Sequence, residues 1–553
     1  MNLETVWQRI GDWNPQILRE LRGKLKLRNV AIALIAAALI QILIVGAFSL
    51  GLPDPDLASA GKLYSQFCFG TKEYSYQSVF LCSLPLEINW QLWWAAQFRL
   101  LSWTLPILPV AVGGGMLALD LAQEASRGTF NFVRLSPQAA SSILLGKLWG
   151  VPCLVYLATL AVLPLHLVAA IGAGVDPLFL LSYYLLNLLG AYLFGSVAML
   201  VGLVAINSGS KFNNPLNVGM GLGFVFSGLY QVYLFLNSIS TWAPFGQLLY
   251  GGDRPNLVLE WFNLAIASNF WLGNGFAITS VLVVSQGIWY ALERRYYTPT
   301  RPLIAKRQAY ICLAFLQIFM VGFLVNRTLG DYLEAEHLRW AGLAVLNGIN
   351  YWCFLSLITI LTPTRQATLD WLRYRHLQSR RSLWQDLVWH EQSPAVVAIA
   401  LCSLIAALVI TPWAVGAVDF GSGLAMISLI IAQGVGFVIL ALIYQILAFW
   451  AKTKPQRALA IALLIGTLIV PPLLMVFLPL PKFLWVMIGY PAFAYSPQLS
   501  WHLAIGGLAQ GLILATGGLA LTRQLQRAAR SEFELLSDAT RTATPQISTH
   551  TYT

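Results

Sequence analysis

The sequence predicts an all-α polytopic membrane protein of about 12 transmembrane helices, set as six and six, with both termini cytoplasmic and an amphipathic interfacial helix at the N-terminus. Three observations predict it. Twelve long apolar stretches alternate with short polar loops. Of the 553 residues, 58% are hydrophobic and only 10% charged, a balance that ordinary soluble domains do not sustain at this length. The loop cations also fall on alternate loops: seventeen in one set, among them Arg127, Lys147, Arg294, Lys306 and Arg375, against seven in the other, among them Lys62, Lys72 and Arg254. A helix of about 20 apolar residues crosses a bilayer, and unpaired backbone in lipid leaves only helices or closed barrels as spanning forms. These stretches are too long and too continuously apolar for barrel strands. Positive-inside bias places the richer loop set, and with it both termini, in the cytoplasm.

The elements follow in order. Residues 1–29 are amphipathic. Asn14-Pro15 reads as a helix start, with Asn as N-cap and Pro as first helical residue. Ile17, Leu18, Leu21 and Leu25 then share a face, and Arg19, Arg22, Lys24, Lys26 and Arg28 supply cationic tips for the membrane surface. A first six-span unit occupies 30–297, with spans at about 30–50, 98–118, 148–172, 178–205, 216–237 and 272–292. Polar, Pro-containing residues 298–307 begin a second unit, 298–521, with spans at about 308–326, 340–362, 395–415, 422–450, 458–478 and 501–521. Residues 522–553 form a cytoplasmic tail, partly disordered where Thr and Ser dominate. Trp90, Trp93 and Trp94 suit an outer aromatic belt, and Trp371, Trp384 and Trp389 an inner one; ordinary packing is the alternative.

The net charge of +11 does not indicate nucleic acid, because the cations are spread among loops and form no single patch. The N-terminus lacks the pattern of a cleaved signal peptide. Cys153, Cys312, Cys353 and Cys402 lie in apolar stretches and are expected to pack there. Cys68 and Cys82 share the first outer loop, in an oxidising compartment; a disulfide and two free thiols are both open.

The most distinctive motif follows the second span. It runs from Asp120 through Glu124, Arg127, Gly128, Thr129, Phe130, Val133 and Arg134 to Ser136-Pro137, and continues to Gly146-Lys147. The span is expected to exit through Glu124, to reverse at Gly128, and to form a short helix with Phe130, Val133 and Arg134. Ser136-Pro137 is expected to cap the helix that re-enters the membrane. The result is a protruding elbow with paired charges, a shape suited to docking a soluble partner.

Glu-x-x-Arg-Gly-Thr, then Ser-Pro, then Gly-Lys before an apolar span resembles the coupling-helix region of type-2 ABC transporter permeases. Upstream, Asn14-Pro15-x-x-x-Arg19-Glu20-Leu21 resembles that family's interfacial helix, to which Arg22 also belongs. Downstream, the sixth span ends in Glu293-Arg294-Arg295, as such units often do. The resemblance covers about residues 14–297. It implies the membrane subunit of an ABC exporter, without bound cofactor, that works by alternating access with a soluble ATPase subunit carrying the ATP. It implies Glu124 and Arg127 as docking charges, Gly128 as the turn, Phe130 and Val133 as apolar contacts, and Thr129 and Pro137 as parts of the same elbow. The second half matches less well. Gln392-Ser393-Pro394-Ala395 opens its third span, but Glu-x-x-Arg-Gly-Thr is missing there. That leaves open whether the second half is a degenerate repeat that completes a pseudo-dimer or an added six-span module, in which case the chain pairs as a homodimer.

Absences narrow the reading. The sequence has no Gly-x-x-x-x-Gly-Lys-Ser/Thr phosphate loop, so ATP hydrolysis needs another polypeptide. His390-Glu391 lacks the second His of a zinc protease. Ionisable residues are nearly missing from the spans, which argues against an ion-coupled transporter; His166 is expected to be a satisfied core histidine. Asn187, Gln231, Gln286, Gln317, Asn347, Gln433 and Gln445 are expected to hydrogen-bond between helices. The function expected is therefore the permease subunit of an ABC exporter in a bacterial inner membrane, partnered by lipid and an ATPase. The alternatives are a membrane-embedded enzyme such as a lipid-linked glycosyltransferase, using Asp54 or Asp56, and a non-catalytic assembly protein. No substrate site is legible.

Overall fold

The computed structural model describes residues 3–53, 64–72, 80–82, 86–207, 260–266, 269–298, 302–325, 335–378, 382–416, 418–451 and 500–529, with a few positions between 453 and 466. The chain divides into two compact units, Met1–Pro299 and Thr300–Thr553. Among the described residues, ten helices are long and apolar enough to cross a membrane. They correspond to ten of the twelve expected spans. The expected span at 216–237, and most of that at 458–478, lie outside the described residues, as do Asp54, Asp56, Gln231 and the tail beyond 529.

The first unit opens with three helices, α1 (Leu3–Trp13), α2 (Pro15–Lys24) and α3 (Leu27–Leu50). Asn14 caps α2 as expected: its Oδ1 accepts from the amides of Gln16 (3.0 Å) and Ile17 (3.1 Å), and Pro15 sits where no amide donor is needed. α3 buries only Ala37 within the protein and leaves Ile35, Leu39, Ile42 and Leu43 exposed. Such a surface is untenable in water and suits lipid. Gln41 ties α3 to the third span by donating to the carbonyl of Ala161, 3.2 Å away.

The loop after α3 departs from the all-helical expectation. It holds a small antiparallel sheet of β1 (Tyr64–Ser65), β2 (Gly70–Lys72) and β3 (Phe80–Cys82), with β3 central and Thr71 opposite Leu81. Cys68 and Cys82 are joined by a disulfide, with 5.5 Å between their Cα atoms.

The second span is longer than the apolar stretch suggested. It comprises α4 (Trp90–Thr104), a π-helical turn at Leu108–Gly113 and α5 (Gly114–Ser126). Pro106 and Pro109 remove donors from the helical ladder, a cause of such local widening. Of the expected outer belt, Trp90 is exposed, but Trp93 is buried and donates to the carbonyl of Phe48 (3.0 Å). A short helix α6 (Thr129–Arg134) and then α7 (Ala140–Gly150) lead to α8 (Cys153–Gly172), α9 (Pro177–Asn207) and α10 (Phe270–Tyr297). Leu117, Leu121, Ile143, Leu144, Leu148, Met199 and Leu292 build one core that joins α5, α7, α9 and α10.

The second unit contains α11 (Lys306–Leu324), α12 (Ala335–Leu361), α13 (Arg365–Gln378), α14 (Leu383–Trp389), α15 (Val396–Val415), α16 (Phe420–Trp450) and α17 (Ser500–Ala529). Its core packs α11, α12, α15 and α16, with Phe354 stacked on Phe437 at 4.2 Å. Buried amides bridge helices here as expected: Gln317 to Asn350 (2.6 Å), Gln433 to the Asn347 carbonyl (3.2 Å), and Gln445 from the Ala395 amide (3.2 Å). Asn187 of the first unit donates to the Tyr183 carbonyl within its own helix. Of the expected inner belt, Trp384 and Trp389 are exposed and Trp371 is buried.

Candidate functional site

The site is an elbow at the end of the second span, built on a buried charge cluster that the sequence did not reveal. α2 lies against α7. Its buried face is not the leucine face but Asn14, Gln16, Ile17 and Glu20, while Leu18, Leu21 and Leu25 are only half-buried. The cause is the shape of α7. Gly146 and Gly150 stand one turn apart, as Gln16 and Glu20 do on α2. A Cβ at Gly146 would lie 2.6 Å from the Gln16 Cβ, and one at Gly150 would lie 2.5 Å from the Glu20 Cβ. Small residues at this spacing let two helices approach closely. Asn14 Nδ2 donates to the Ser142 carbonyl (2.7 Å) and Lys24 Nζ to that of Val151 (3.0 Å), which pins both ends of α2.

Lys147 lies between the two glycines of α7 and is 0% exposed. Its ammonium meets Asp120 at 2.6 Å and Glu124 at 2.9 Å. Asp120 and Glu124 are one turn apart on α5, so one helix face presents both carboxylates. Glu20 of α2 completes a group of three carboxylates whose oxygens lie within 4.8 Å of one another. Lys24 pairs with Glu20 at 3.1 Å and Arg19 with Glu124 at 3.7 Å. Three carboxylates could ligate a metal ion, but three cations already match them one for one. The cluster is an ion-pair lock, neutral overall. Burial alone would lower the Lys147 pKa, yet Asp120 and Glu124 hold it above the ordinary value of 10.5, so Lys147 is fully charged at neutral pH.

Two expectations change here. Lys147 is not a loop cation. Glu124 is not an exposed docking charge: its side chain is 12% exposed and turned into the lock. Lys306 is likewise buried, donating to the carbonyls of Leu387 (2.8 Å) and Pro394 (3.1 Å) and to Ser393 Oγ (2.7 Å). Removing both lysines from the loop tally leaves fifteen cations against seven, so the bias persists.

Beyond the lock the chain turns at Gly128, whose φ of +75° is the left-handed conformation that glycine adopts without a Cβ clash. Thr129 Oγ1 donates back to the Glu124 carbonyl at 3.0 Å and closes the turn. α6 follows, with Arg127, Gly128, Thr129 and Pro137 exposed around it. Phe130 and Val133 lie in α6, but their side chains are outside the described residues. The apolar side chains that protrude are Phe132, 80% exposed, and Leu135, 85% exposed. The sequence reading missed both, although an apolar residue every third position beside Arg134 was a usable signal. The returning strand of the elbow is stitched to the end of α10: the Arg134 guanidinium lies 5.6 Å over the Tyr296 ring, and the Ala140 amide donates to the Tyr297 hydroxyl (3.2 Å).

Ser136-Pro137 does not cap the next helix. α7 begins at Ala140, with Ala139 at the cap position and no side-chain bond. The long-range bonds of Asn14 and Tyr297 hold that helix start instead. Ser393 in the second unit behaves comparably: its hydroxyl donates to the carbonyls of Asp386 and His390 and receives Lys306, so it staples α14 to α11 and does not cap α15. Of the interfacial residues expected from sequence, Glu20 is in the lock, Arg19 borders it, and Arg22 is exposed with its guanidinium 5.9 Å over the Trp7 ring.

His166 is fully buried and both ring nitrogens have partners, Ser102 Oγ at 2.9 Å and Tyr184 Oη at 2.7 Å. Cys153 and Cys402 are buried free thiols, Cys353 is partly buried and Cys312 is exposed. No protein-family model, curated protein or solved structure matches the chain.

Proposed function

We propose that the chain is the membrane subunit of an ATP-driven ABC transporter, an exporter working by alternating access with a separate ATPase subunit. One observation carries this reading. A short helix carrying exposed Phe132, flanked by exposed Arg127 and Leu135, protrudes where a span ends, and a buried ion-pair lock fixes its base to two other helices. Exposed apolar side chains beside a cation are the composition of a docking face. A rigid base is what a lever requires: movement imposed on the elbow reaches α5 and α7 without being absorbed by the turn. In this mechanism ATP binding closes the partner ATPase pair, the elbow at 124–137 follows, and α2 travels with it because Gln16 and Glu20 are seated on α7. The substrate then leaves outward or laterally. Arg127, Phe132 and Leu135 contact the ATPase. Glu124 acts through Lys147 to hold the elbow in place.

The test is cross-linking in native membranes. A cysteine placed at Phe132 should cross-link to a soluble polypeptide that carries a phosphate-loop sequence, identified by mass spectrometry. A Phe132→Glu, Leu135→Glu double variant should fold but lose ATPase activity that co-purifies with wild type. Unchanged co-purifying ATPase activity in that variant removes the elbow from the interface.

A further inference from the structure

We propose that the second unit binds the phosphate headgroup of an anionic lipid where α13, α16 and α17 meet. Three arginines, Arg365, Arg523 and Arg527, line a cavity of about 550 Å³ together with Phe449 and Trp450. Arg523 and Arg527 are one turn apart and share a face of α17. Arg365 is the first residue of α13, and its guanidinium lies 5.6 Å over the Phe449 ring. Among the described residues no carboxylate lines the cavity and none of the three arginines forms an ion pair. Three convergent guanidinium groups repel one another unless an anion joins them, and their planar forks match phosphate oxygens.

Position selects the lipid. The apolar spans Phe420–Trp450 and Leu503–Arg527 both end at this cavity. It therefore sits where hydrocarbon gives way to headgroups, with exposed Trp450 at the boundary. Toward mid-span, the Arg523 face of α17 continues as Leu519, Leu512 and Leu508, all exposed. A free phosphate has no use for that stripe; acyl chains would cover it. Basic pockets between spans are a known way to hold anionic headgroups.

The test uses the full chain in nanodiscs of phosphatidylcholine with a minor share of phosphatidylglycerol, followed by native mass spectrometry of the lipids retained on release. Wild type should retain phosphatidylglycerol preferentially. An Arg365→Gln, Arg523→Gln, Arg527→Gln variant should lose that preference by about tenfold or more, since each arginine near the surface adds to anionic-lipid affinity. An Arg307→Gln variant removes a charge from an exposed position elsewhere in the same unit and should change retention by less than about twofold. If the triple variant misfolds, Arg523→Gln with Arg527→Gln, both on exposed side chains, should still lose preference by about threefold or more. Equal retention by wild type and the cavity variants, or equal loss in the control, overturns the site. Displacement of the lipid by excess inorganic phosphate overturns the lipid as its occupant.

Discussion

Replacing Lys147 with methionine tests the lock directly. The side chain keeps its length and loses its charge, so packing beside Gly146 and Gly150 is nearly conserved. What remains is a group of three carboxylates, Glu20, Asp120 and Glu124, whose oxygens lie within 4.8 Å of one another with no cation at their centre. Two like charges at that separation repel by roughly 3 kcal/mol at an effective dielectric constant of about 20. Removing one partner from a buried ion pair costs about 3–5 kcal/mol by mutational precedent. The two estimates agree, and Lys147→Met is expected to destabilise the first unit by about 3–5 kcal/mol. A rescue separates charge from shape. Asp120→Asn in the Lys147→Met background should restore most of the loss, because Glu20 and Glu124 then face Lys24 and Arg19 one for one. Arg19→Ala removes only a 3.7 Å contact from a side chain that is 59% exposed; after allowance for solvent screening it should cost at most about 1 kcal/mol. Denaturant titration of the purified protein in detergent, with tryptophan fluorescence, measures all three variants against wild type. A Lys147→Met variant within about 0.5 kcal/mol of wild type, or a rescue variant no better than Lys147→Met, refutes the lock.

Four further outcomes are expected. Gly150→Val should lift α2 off α7, because a Cβ would stand 2.5 Å from that of Glu20; limited proteolysis between Lys24 and Lys26 should accelerate at a stability cost of about 1–3 kcal/mol. At the elbow, Arg127→Ala should leave stability unchanged and weaken ATPase co-purification, whereas Glu124→Ala should lower both; Gly128→Val, with open space around it, should cost about 1–2 kcal/mol from backbone conformation alone. Thiol labelling of non-reduced protein should modify neither Cys68 nor Cys82, and reduction should remove roughly 3 kcal/mol of loop stabilisation in the chain-entropy treatment. Reporter fusions at Asn29, Lys211 and Arg541 should signal from the cytoplasm and one at Lys62 from outside; an outside signal from Lys211 overturns the topology.

The sequence by itself determined the features whose physics is local. A run of apolar residues long enough to cross lipid must satisfy its backbone within itself, so helices follow from hydropathy alone. Asn14-Pro15 determined the start of α2, and Gly128 the turn of the elbow, because a cap and a left-handed backbone depend on residues a few positions apart. Tertiary structure decided the rest. Hydropathy counted Lys147 as a loop cation, but its position is set by carboxylates 23 and 27 residues earlier in the chain, which align only when α5 and α7 pack. It placed Ile17, Leu18, Leu21 and Leu25 on one face of a surface helix, but two glycines more than a hundred residues away decide that Gln16 and Glu20 are the residues seated on α7. It expected Glu124 to face a partner, and the same lock turns that carboxylate inward, leaving Phe132 and Leu135 outside. Burial of a charge is a pairwise property, and composition along one segment carries no record of which distant group will stand opposite it.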